Sequence, residues 1–216
     1  MKDKKNGVLL DLDGTLWDSS VSVAEAWSEK LKLMGMDQRV TTEQIQSIMG
    51  LPMDEIAQII FAGSPADQRI PLMEACSEYE NEYISRHGGK LYPHLMETLQ
   101  KLHEDYFTAI VSNCQKGYIE AFIQYYHLEP YIDDIESYGN TLLYKDENIR
   151  LVVNRNHLDK AVYVGDIDKD RQASVKAGVP FIFASYGMGE VENTPRIDSL
   201  SQLPKRVKEV FEESAR

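Results

Sequence analysis

The stretch VLLDLDGTL near the N-terminus constrains the fold of this chain more than any other segment. Its apolar run, Val8–Leu10, predicts a buried β-strand, and Asp11 and Asp13 follow where that strand ends. Because side chains alternate along an extended chain, the two acids point to the same face. Gly14 and Thr15 then predict a turn that leads the chain out of the sheet.

Two carboxylates this close repel each other unless a positive charge neutralises them. The spacing of Asp11 and Asp13 therefore points to a divalent cation, because hard cations such as Mg²⁺ prefer carboxylate oxygens. A surface loop with two acids is the alternative interpretation. The apolar strand before the pair and the Gly-Thr turn after it favour a functional site instead.

The composition indicates a folded, acidic chain. Its 216 residues allow one ordinary domain, or a core with a smaller inserted one, and 43% hydrophobic residues suffice for a packed core. The formal net charge of −12 argues against nucleic acid and anionic membranes as partners. An anionic substrate would need a local positive charge, from a metal ion or a few Lys and Arg residues.

The cysteines and the N-terminus predict a cytoplasmic protein. Cys76 and Cys114 are far apart and form no CxxC pattern, which suits a reducing compartment and provides no zinc framework. No apolar run reaches transmembrane length, and Asp11 and Asp13 interrupt the short run after the charged N-terminus, so it is not a signal peptide. The sequence gives no indication of an oligomeric state.

Helical patterns occupy the segment from about Ser19 to His87. Apolar residues recur there at spacings of three and four, and TTEQ at 41–44 has the form of a capping box. Ser64 and Pro65 predict the cap and first position of a long helix. No convincing strand is predicted in this segment.

From Lys90 onward, helices and apolar strands alternate, and the strands are predicted at 108–112, 132–137, 161–165 and 180–184. Continuous apolar strands separated by helices imply a parallel sheet that is covered on both faces. The predicted fold class is therefore α/β. Its core is a doubly wound parallel sheet made of residues 1–16 plus 90–216, and an all-helical domain of residues 17–89 is inserted into it.

Four segments at strand ends carry a family resemblance. DLDGTL at 11–16, IVSN at 110–113, Lys145 before a predicted helix, and GDIDKD at 165–170 occur in this order. Together they resemble the four motifs of the haloacid dehalogenase superfamily of phosphohydrolases, in particular its phosphoglycolate phosphatase-like branch. The resemblance implies a Rossmann-like core with the sheet order fifth, fourth, first, second, third strand, and helices that act as a cap over the active site.

The resemblance also implies catalytic roles. Asp11 is the expected nucleophile, which forms an aspartyl-phosphate, and Asp13 is the expected general acid and base. Ser112 and Asn113 end a strand and open a helix, where hydroxyl and amide groups can cradle a phosphate. Lys145 is expected to bind the same phosphoryl group and to balance the charge of the nucleophile.

The same resemblance implies a Mg²⁺ site. Its expected ligands are the carboxylates of Asp11 and Asp166 and the main-chain carbonyl of Asp13. Asp170 is expected to bind through water or to orient the site, although an acid at a helix start is also favoured by the helix dipole alone. The Gly14–Thr15 turn supports the site.

The expected reaction is Mg²⁺-dependent hydrolysis of a small phosphorylated metabolite, with 2-phosphoglycolate as the first candidate. Sugar phosphates, nucleoside monophosphates and pyrophosphate stay open. Asp13 argues against a dehalogenase, because a halide leaves without a proton. Phosphonate hydrolases of this family use a cap lysine, which is missing between Lys32 and Lys90, and related phosphosugar mutases carry a His in the first cap helix, which is missing from residues 17–34.

A non-catalytic binding protein on the same scaffold is the alternative from a different functional class. Loss of activity would normally remove the nucleophile or a metal ligand, and all of them are present in the sequence. Specificity in the family resides in the cap, here in loops such as residues 49–53. Hinges are expected at 16–20 and 88–91. Trp17 either packs at the hinge or contacts the substrate, and Cys114 is expected to be a small core residue.

Overall fold

A six-stranded parallel sheet forms the centre of the computed structural model, which describes residues 5–213. The sheet order is β5-β4-β1-β6-β7-β8, and every neighbouring pair is parallel. The strands are β1 (Asn6–Leu10), β2 (Trp17–Asp18), β3 (Lys90–Leu91), β4 (Phe107–Ser112), β5 (Asp134–Ser137), β6 (Lys160–Gly165), β7 (Phe181–Ala184) and β8 (Arg196–Ile197). The predicted order of five strands is confirmed, and β8 extends the sheet by one strand that the sequence did not indicate.

The central position of β1 follows from its composition. Val8, Leu9 and Leu10 are fully buried, because β1 pairs with β4 on one side and with β6 on the other. Val8 and Leu10 belong to one buried cluster and Leu9 to a second one, so the alternating side chains of the strand fill both faces. A strand that is apolar on both faces is typical of a parallel sheet.

Helices cover the sheet and fill the chain between β1 and β4. They are α1 (Ser20–Leu33), α2 (Thr42–Ile48), α3 (Met53–Ile60), α4 (Arg69–His87), α5 (Leu95–Asp105), α6 (Tyr118–Tyr126), α7 (Tyr138–Thr141), α8 (Lys145–Arg155), α9 (Asp168–Ala177) and α10 (Leu203–Glu213). We refer to α1–α4, residues 20–87, as the helical segment. Its four helices contact one another, and α4 also packs against α6.

Two predictions about helix starts have different outcomes. Thr41 caps α2 and forms the predicted capping box with Gln44, since each side chain accepts a hydrogen bond from the other's main-chain N–H. The Ser64 cap is wrong. A 3₁₀ turn at Ala66–Gln68 precedes α4, its capping residue is Pro65, and no side chain caps it.

A two-stranded ribbon joins the helical segment to the sheet. β2 and β3 are antiparallel, and Trp17 pairs with Leu91 and Asp18 with Lys90. These residues lie within the two stretches that the sequence predicts as hinges. The ribbon was not foreseen, because two residues per strand are too few to show an alternating pattern.

Candidate active site

The predicted site residues converge at the carboxyl ends of the central strands. Asp11 follows β1, and its N–H donates to the carbonyl of Val164 in β6 at 2.8 Å, which holds the residue against the neighbouring strand. Asp166 follows β6 directly, and Ser112 is the last residue of β4. Lys145 begins α8, and Asp170 lies in the first turn of α9. In an open parallel sheet this edge is where ligands bind.

A buried ion network links three of these residues. Lys145 Nζ donates to Asp11 Oδ1 at 2.9 Å and to Asp170 Oδ1 at 2.5 Å. Burial and the neighbouring Asp170 charge raise the pKa of Asp11 well above its usual value, although Lys145 opposes that shift. Burial disfavours the charge of Lys145, but the two facing carboxylates raise its pKa well above the ordinary value. Lys145 is therefore a permanent positive charge next to Asp11.

Asp170 connects this network to the turn after β6. Its Oδ2 accepts hydrogen bonds from the main-chain N–H groups of Asp166 and Ile167, at 3.1 and 3.2 Å. Both of its oxygens are thus engaged, one by Lys145 and the other by the turn. This arrangement supports the orienting role among the two roles predicted for Asp170.

Asp166 is surrounded by backbone rather than by cations. Its Oδ2 accepts from the N–H of Met188 at 2.8 Å, and Thr15 Oγ1 lies 3.5 Å from its Oδ1. Burial, reinforced by the charge of Asp170, raises the pKa of Asp166 to about 7. A carboxylate that is buried with so little positive charge nearby is well suited to bind a cation.

The donor set fits a magnesium ion. Carboxylate oxygens of Asp11, Asp166 and Asp170 all lie within 4.8 Å of one another, and all three side chains are buried. Because both Asp170 oxygens are engaged by Lys145 and the turn after β6, Asp11 and Asp166 remain as the carboxylate donors, and such oxygens suit a hard cation that keeps part of its water shell. The Asp13 carbonyl stays a predicted ligand.

Gly14 and a segment that the sequence interpretation missed allow Asp166 to approach β1. Gly14 has φ of +80°, and a Cβ there would lie 2.1 Å from Asp166 Oδ2. From the other side, a Cβ on Gly187 would lie 2.4 Å from the Gly14 carbonyl and 2.3 Å from the Asp166 Cβ. Tyr186 adds a hydrogen bond from its hydroxyl to the Thr15 carbonyl at 2.9 Å. The signal that could have revealed this segment is Gly-x-Gly at 187–189, separated from the end of β7 by two residues.

Asp13 is held by two hydroxyl groups. Its Oδ1 accepts from Ser19 Oγ at 2.6 Å and from the Tyr118 hydroxyl at 3.0 Å. Desolvation raises the pKa of Asp13, and the two hydrogen bonds oppose that rise. Neither partner was predicted, and for Tyr118 no local pattern could have indicated a contact 105 residues away in the chain.

The phosphate motif contacts the helical segment. Ser112 is buried, and Asn113 Nδ2 donates to the Gly50 carbonyl at 2.9 Å. Asn113 Oδ1 is buried without a hydrogen-bond partner among the described residues. Gly50 lies in the loop at residues 49–53 that the sequence singles out for specificity, so the structure brings this loop to the predicted phosphate site.

A cavity of about 50 Å³ lies between the strand ends and the helical segment. Asp11, Asp13, Ser112 and Asn113 line it from the sheet side. The opposite wall is mostly apolar and includes Val23, Ile45, Ile48, Leu51, Met53 and Ile56. Two polar residues of the helical segment, Trp27 and Glu80, also line the cavity and were missed by the sequence interpretation.

Trp17 packs at the predicted hinge, which is one of the two roles open to it, and Cys114 is a buried residue as the sequence predicts. Trp17 is fully buried, and its ring centroid lies 4.7 Å from that of Phe122 and 5.8 Å from that of Tyr118. Cys114 is buried at the cavity wall, where burial raises the pKa of its thiol well above the usual value. A thiol with a raised pKa is protonated and poorly nucleophilic.

Among the helices within residues 5–213, none has the length and apolarity needed to cross a membrane.

Comparison with known proteins identifies the family. The family model for haloacid dehalogenase-like hydrolases matches residues 8–184. The chain is 28% identical over 210 residues to a phosphoglycolate phosphatase of Rhodobacter capsulatus, which covers 92% of this chain and 90% of that protein. The structure resembles that of a haloacid dehalogenase-like hydrolase from Bacteroides fragilis, with a TM-score of 0.78, 24% identity and coverage of 93% and 100% of the two chains.

A second solved structure has the same fold. CbbY from Rhodobacter sphaeroides, in complex with xylulose-1,5-bisphosphate, gives a TM-score of 0.76 at 18% identity, with coverage of 91% of this chain and 95% of that chain. The match of the family model covers most of the chain and includes the strand ends that carry Asp11, Ser112, Lys145 and Asp166. This chain belongs to the haloacid dehalogenase-like hydrolase family.

Proposed function

We propose that the protein is a Mg²⁺-dependent phosphatase that hydrolyses a small phosphomonoester through an aspartyl-phosphate on Asp11. The observation that carries this proposal is the setting of Asp11, which receives a hydrogen bond from Lys145 at 2.9 Å and lies in a group of three buried carboxylates. A carboxylate held by a permanent cation at the end of a parallel strand can approach an anionic phosphate as a nucleophile.

Asp11 and Asp13 divide the proposed chemistry between them. In the first step an Asp11 oxygen bonds to phosphorus while the bond from phosphorus to the alcohol oxygen breaks, and Asp13 gives its proton to that oxygen. In the second step Asp13 takes a proton from water, whose oxygen attacks phosphorus and frees the Asp11 carboxylate together with inorganic phosphate. The raised pKa of Asp13 supports its role as an acid.

The remaining motif residues bind the transferring group. The Ser112 hydroxyl and the Asn113 main-chain amide are proposed to donate to phosphoryl oxygens, because both residues line the cavity beside Asp11. Lys145 balances the charge of Asp11 and donates to the same phosphoryl group. Ser19 and Tyr118 orient Asp13 toward the leaving oxygen.

The proposed metal ligands are the carboxylates of Asp11 and Asp166 and the main-chain carbonyl of Asp13. Mg²⁺ bound by these oxygens would neutralise charge between the nucleophile and the phosphate dianion. Asp170 keeps Lys145 and the turn after β6 in position. The buried, cation-poor environment of Asp166 supports this assignment.

Residues 17–89 are proposed to act as a cap domain on a core of residues 1–16 plus 90–216. The cavity between the two parts is small and has an apolar wall, which supports a role in excluding water from the aspartyl-phosphate. The β2–β3 ribbon is the proposed hinge, because it contains both chain crossings between the two parts. Relatives named phosphoglycolate phosphatase make 2-phosphoglycolate the first candidate substrate by similarity.

The experiment that tests this proposal measures phosphate release from p-nitrophenyl phosphate with and without Mg²⁺. We expect turnover only with the metal, and we expect Asp11→Asn to lower kcat by at least about 10⁴-fold, since it removes the nucleophile. Asp168→Asn is the matched control, because Asp168 is a nearby half-buried acid paired with Arg171. If the chain shows no turnover, the alternative of a non-catalytic binding protein is favoured. If Asp11→Asn retains wild-type rates, Asp11 is not the nucleophile.

A further inference from the structure

A buried acid of the helical segment shares the cavity with the proposed catalytic residues. Glu80 of α4 lines the cavity that Asp11 and Asp13 line from the opposite side, and only 3% of its surface is exposed. Its Oε2 accepts a hydrogen bond from Trp27 Nε1 at 2.5 Å. The reaction proposed above assigns no role to Glu80, and a buried carboxyl group at a substrate cavity needs an explanation.

Every carboxyl, ammonium, guanidinium or imidazole group that lines the cavity is an acid. Asp11, Asp13 and Glu80 line it, and no Lys, Arg or His does so in the part of the chain that the structure describes. Lys145 is bound to Asp11 and Asp170, so its charge is committed at the sheet end of the site. Beside Glu80, the helical segment contributes mainly aliphatic and Met side chains. Away from Asp11 and Asp13, a leaving group would therefore meet a mostly apolar wall, the carboxyl group of Glu80 and the uncharged amide of Gln115.

This environment opposes a second negative charge on the substrate. A carboxylate placed beside Glu80 would lose its water shell and find no counter-charge, which is among the most costly arrangements in a protein interior. Burial raises the pKa of Glu80 to about 8. Near neutral pH the group can thus be a neutral acid, which donates one hydrogen bond and accepts others, or a carboxylate, which only accepts, and in neither form does it supply a positive charge.

We infer that the leaving alcohol carries no negative charge and donates a hydrogen bond, from a hydroxyl or an ammonium group, to Glu80. Glu80 then determines specificity in the phosphatase reaction proposed above, on which this inference rests. The inference disfavours 2-phosphoglycolate, whose leaving group carries a carboxylate. The hydroxyl and the ammonium group share the required chemistry and differ only in charge.

A purely structural role for Glu80 predicts a different outcome. The hydrogen bond from Trp27 to Glu80 joins α1 to α4, between residues that lie 53 positions apart in the sequence. Loss of the Glu80 side chain would therefore disturb the packing of these two helices. Such damage would lower activity on every substrate alike. A specificity role requires that the ratio of kcat/KM values between differently charged substrates changes within one variant.

The experiment uses three phosphomonoesters with two-carbon leaving groups that differ mainly in charge. The leaving group of 2-phosphoglycolate is anionic, that of 2-hydroxyethyl phosphate is neutral, and that of phosphoethanolamine is cationic. For the full chain with Mg²⁺, we expect kcat/KM on the neutral or the cationic ester to exceed that on 2-phosphoglycolate by at least about tenfold. A preference for the cationic ester indicates an ammonium group, and a preference for the neutral one indicates a hydroxyl.

Glu80→Gln keeps the size of the side chain and an oxygen that accepts from Trp27. We expect this variant to reduce the discrimination against 2-phosphoglycolate by at least about fivefold. Glu82→Gln, on the exposed side of α4 beside Arg86, should leave the ratios unchanged. The inference is overturned if the wild type prefers 2-phosphoglycolate, if Glu80→Gln leaves the ratios unchanged, or if none of the three esters is cleaved while p-nitrophenyl phosphate is. Failure to cleave p-nitrophenyl phosphate would instead contradict the proposed function.

Discussion

Asp13, the proposed proton donor and acceptor, is held in a fixed position by its neighbours. Hydrogen bonds from Ser19 and Tyr118 fix one of its oxygens, and desolvation raises its pKa. Tyr118 also donates to Ser19 at 2.9 Å, so the two hydroxyls form a small network around the acid. A carboxyl that is fixed in this way can serve both as proton donor and as proton acceptor without a large reorganisation.

The two proposed roles of Asp13 can be separated by the choice of leaving group. p-Nitrophenolate leaves without needing a proton, whereas an alkoxide needs one. Asp13→Asn should therefore release about one equivalent of p-nitrophenolate per protein molecule in a fast phase, followed by slow turnover, because the aspartyl-phosphate on Asp11 forms but is hydrolysed slowly.

Rapid-mixing absorbance at the p-nitrophenolate band measures this phase. On an alkyl phosphate, rapid quenching followed by measurement of the released alcohol should show no fast phase for the same variant, because the alcohol cannot leave unprotonated. A variant that releases no fast phase from either substrate would contradict the assignment of Asp13 to the second step and place the residue in the first step for both substrates.

The sequence predicts the residues that lie at strand ends, and it misses those that reach the site from elsewhere. Asp11, Ser112 and Asp166 are visible because an apolar strand precedes each of them and fixes its position. Tyr118 and Glu80 lie on amphipathic helices, where nothing in the local pattern separates a residue that contacts the site from one that packs in the core. Their contacts depend on tertiary packing.

At the scale of elements, the turn after β1 and the turn after β6 are fitted to each other. Gly14 combines a left-handed backbone with a close approach to Asp166, and Gly187 closes the same junction from another side. The two turns can pack together only because neither of these positions carries a side chain.

Gly14→Ala should be far more damaging than a substitution at a glycine with the same backbone conformation and free space. Gly35 provides that control, because its φ of +77° is similar and no atom lies within 4 Å of a Cβ placed there. Backbone strain alone should cost each variant about 1 kcal/mol, whereas the added methyl group at position 14 must also displace Asp166.

Thermal unfolding and the Mg²⁺ dependence of turnover measure the two effects. We expect Gly35→Ala to keep the wild-type Mg²⁺ requirement, while Gly14→Ala raises the Mg²⁺ concentration needed for half-maximal activity by at least about tenfold. Equal effects of the two substitutions would show that the contact with Asp166 is unimportant.

Element boundaries were predicted where strong patterns exist. The apolar runs predict the strands, and one four-residue signal predicts the capping box of α2, whereas the order of the strands in the sheet follows from the family resemblance. The strands β2, β3 and β8 have two residues each, and the sequence patterns do not predict them. Pairing with a neighbouring strand defines these short strands, rather than their own composition. The Ser64 cap failed because a 3₁₀ turn takes up the start of the predicted helix.

At the scale of the whole molecule, the buried acid Glu80 makes global stability depend on pH. Its pKa is about 8 in the folded chain, against 4.5 for an ordinary glutamate. Between these values the unfolded chain has lost the proton that the folded chain retains, so the contribution of Glu80 to stability falls as the pH rises.

Glu80→Gln should therefore become more stable relative to the wild type as the pH is raised from about 5 to 8. The maximal gain is about 1.4 kcal/mol per pH unit, because one proton is involved. Melting temperatures of the metal-free proteins measure this difference, and Glu82→Gln should show no such trend. A difference that stays constant with pH would mean that Glu80 is ionised in the folded chain throughout.

The position of β1 in the middle of the sheet has a consequence for the order in which the molecule is assembled. Gly7 is paired with Phe107 and Asn6 with Lys160, so β1 can obtain both of its neighbours only after the chain has been synthesised as far as β6. Contacts between such distant residues slow folding, and an unpaired apolar strand invites association with other chains in the meantime. Asp11, the proposed nucleophile, directly follows β1. During refolding, phosphatase activity should therefore return at the same rate as the pairing of β1 with β4 and β6.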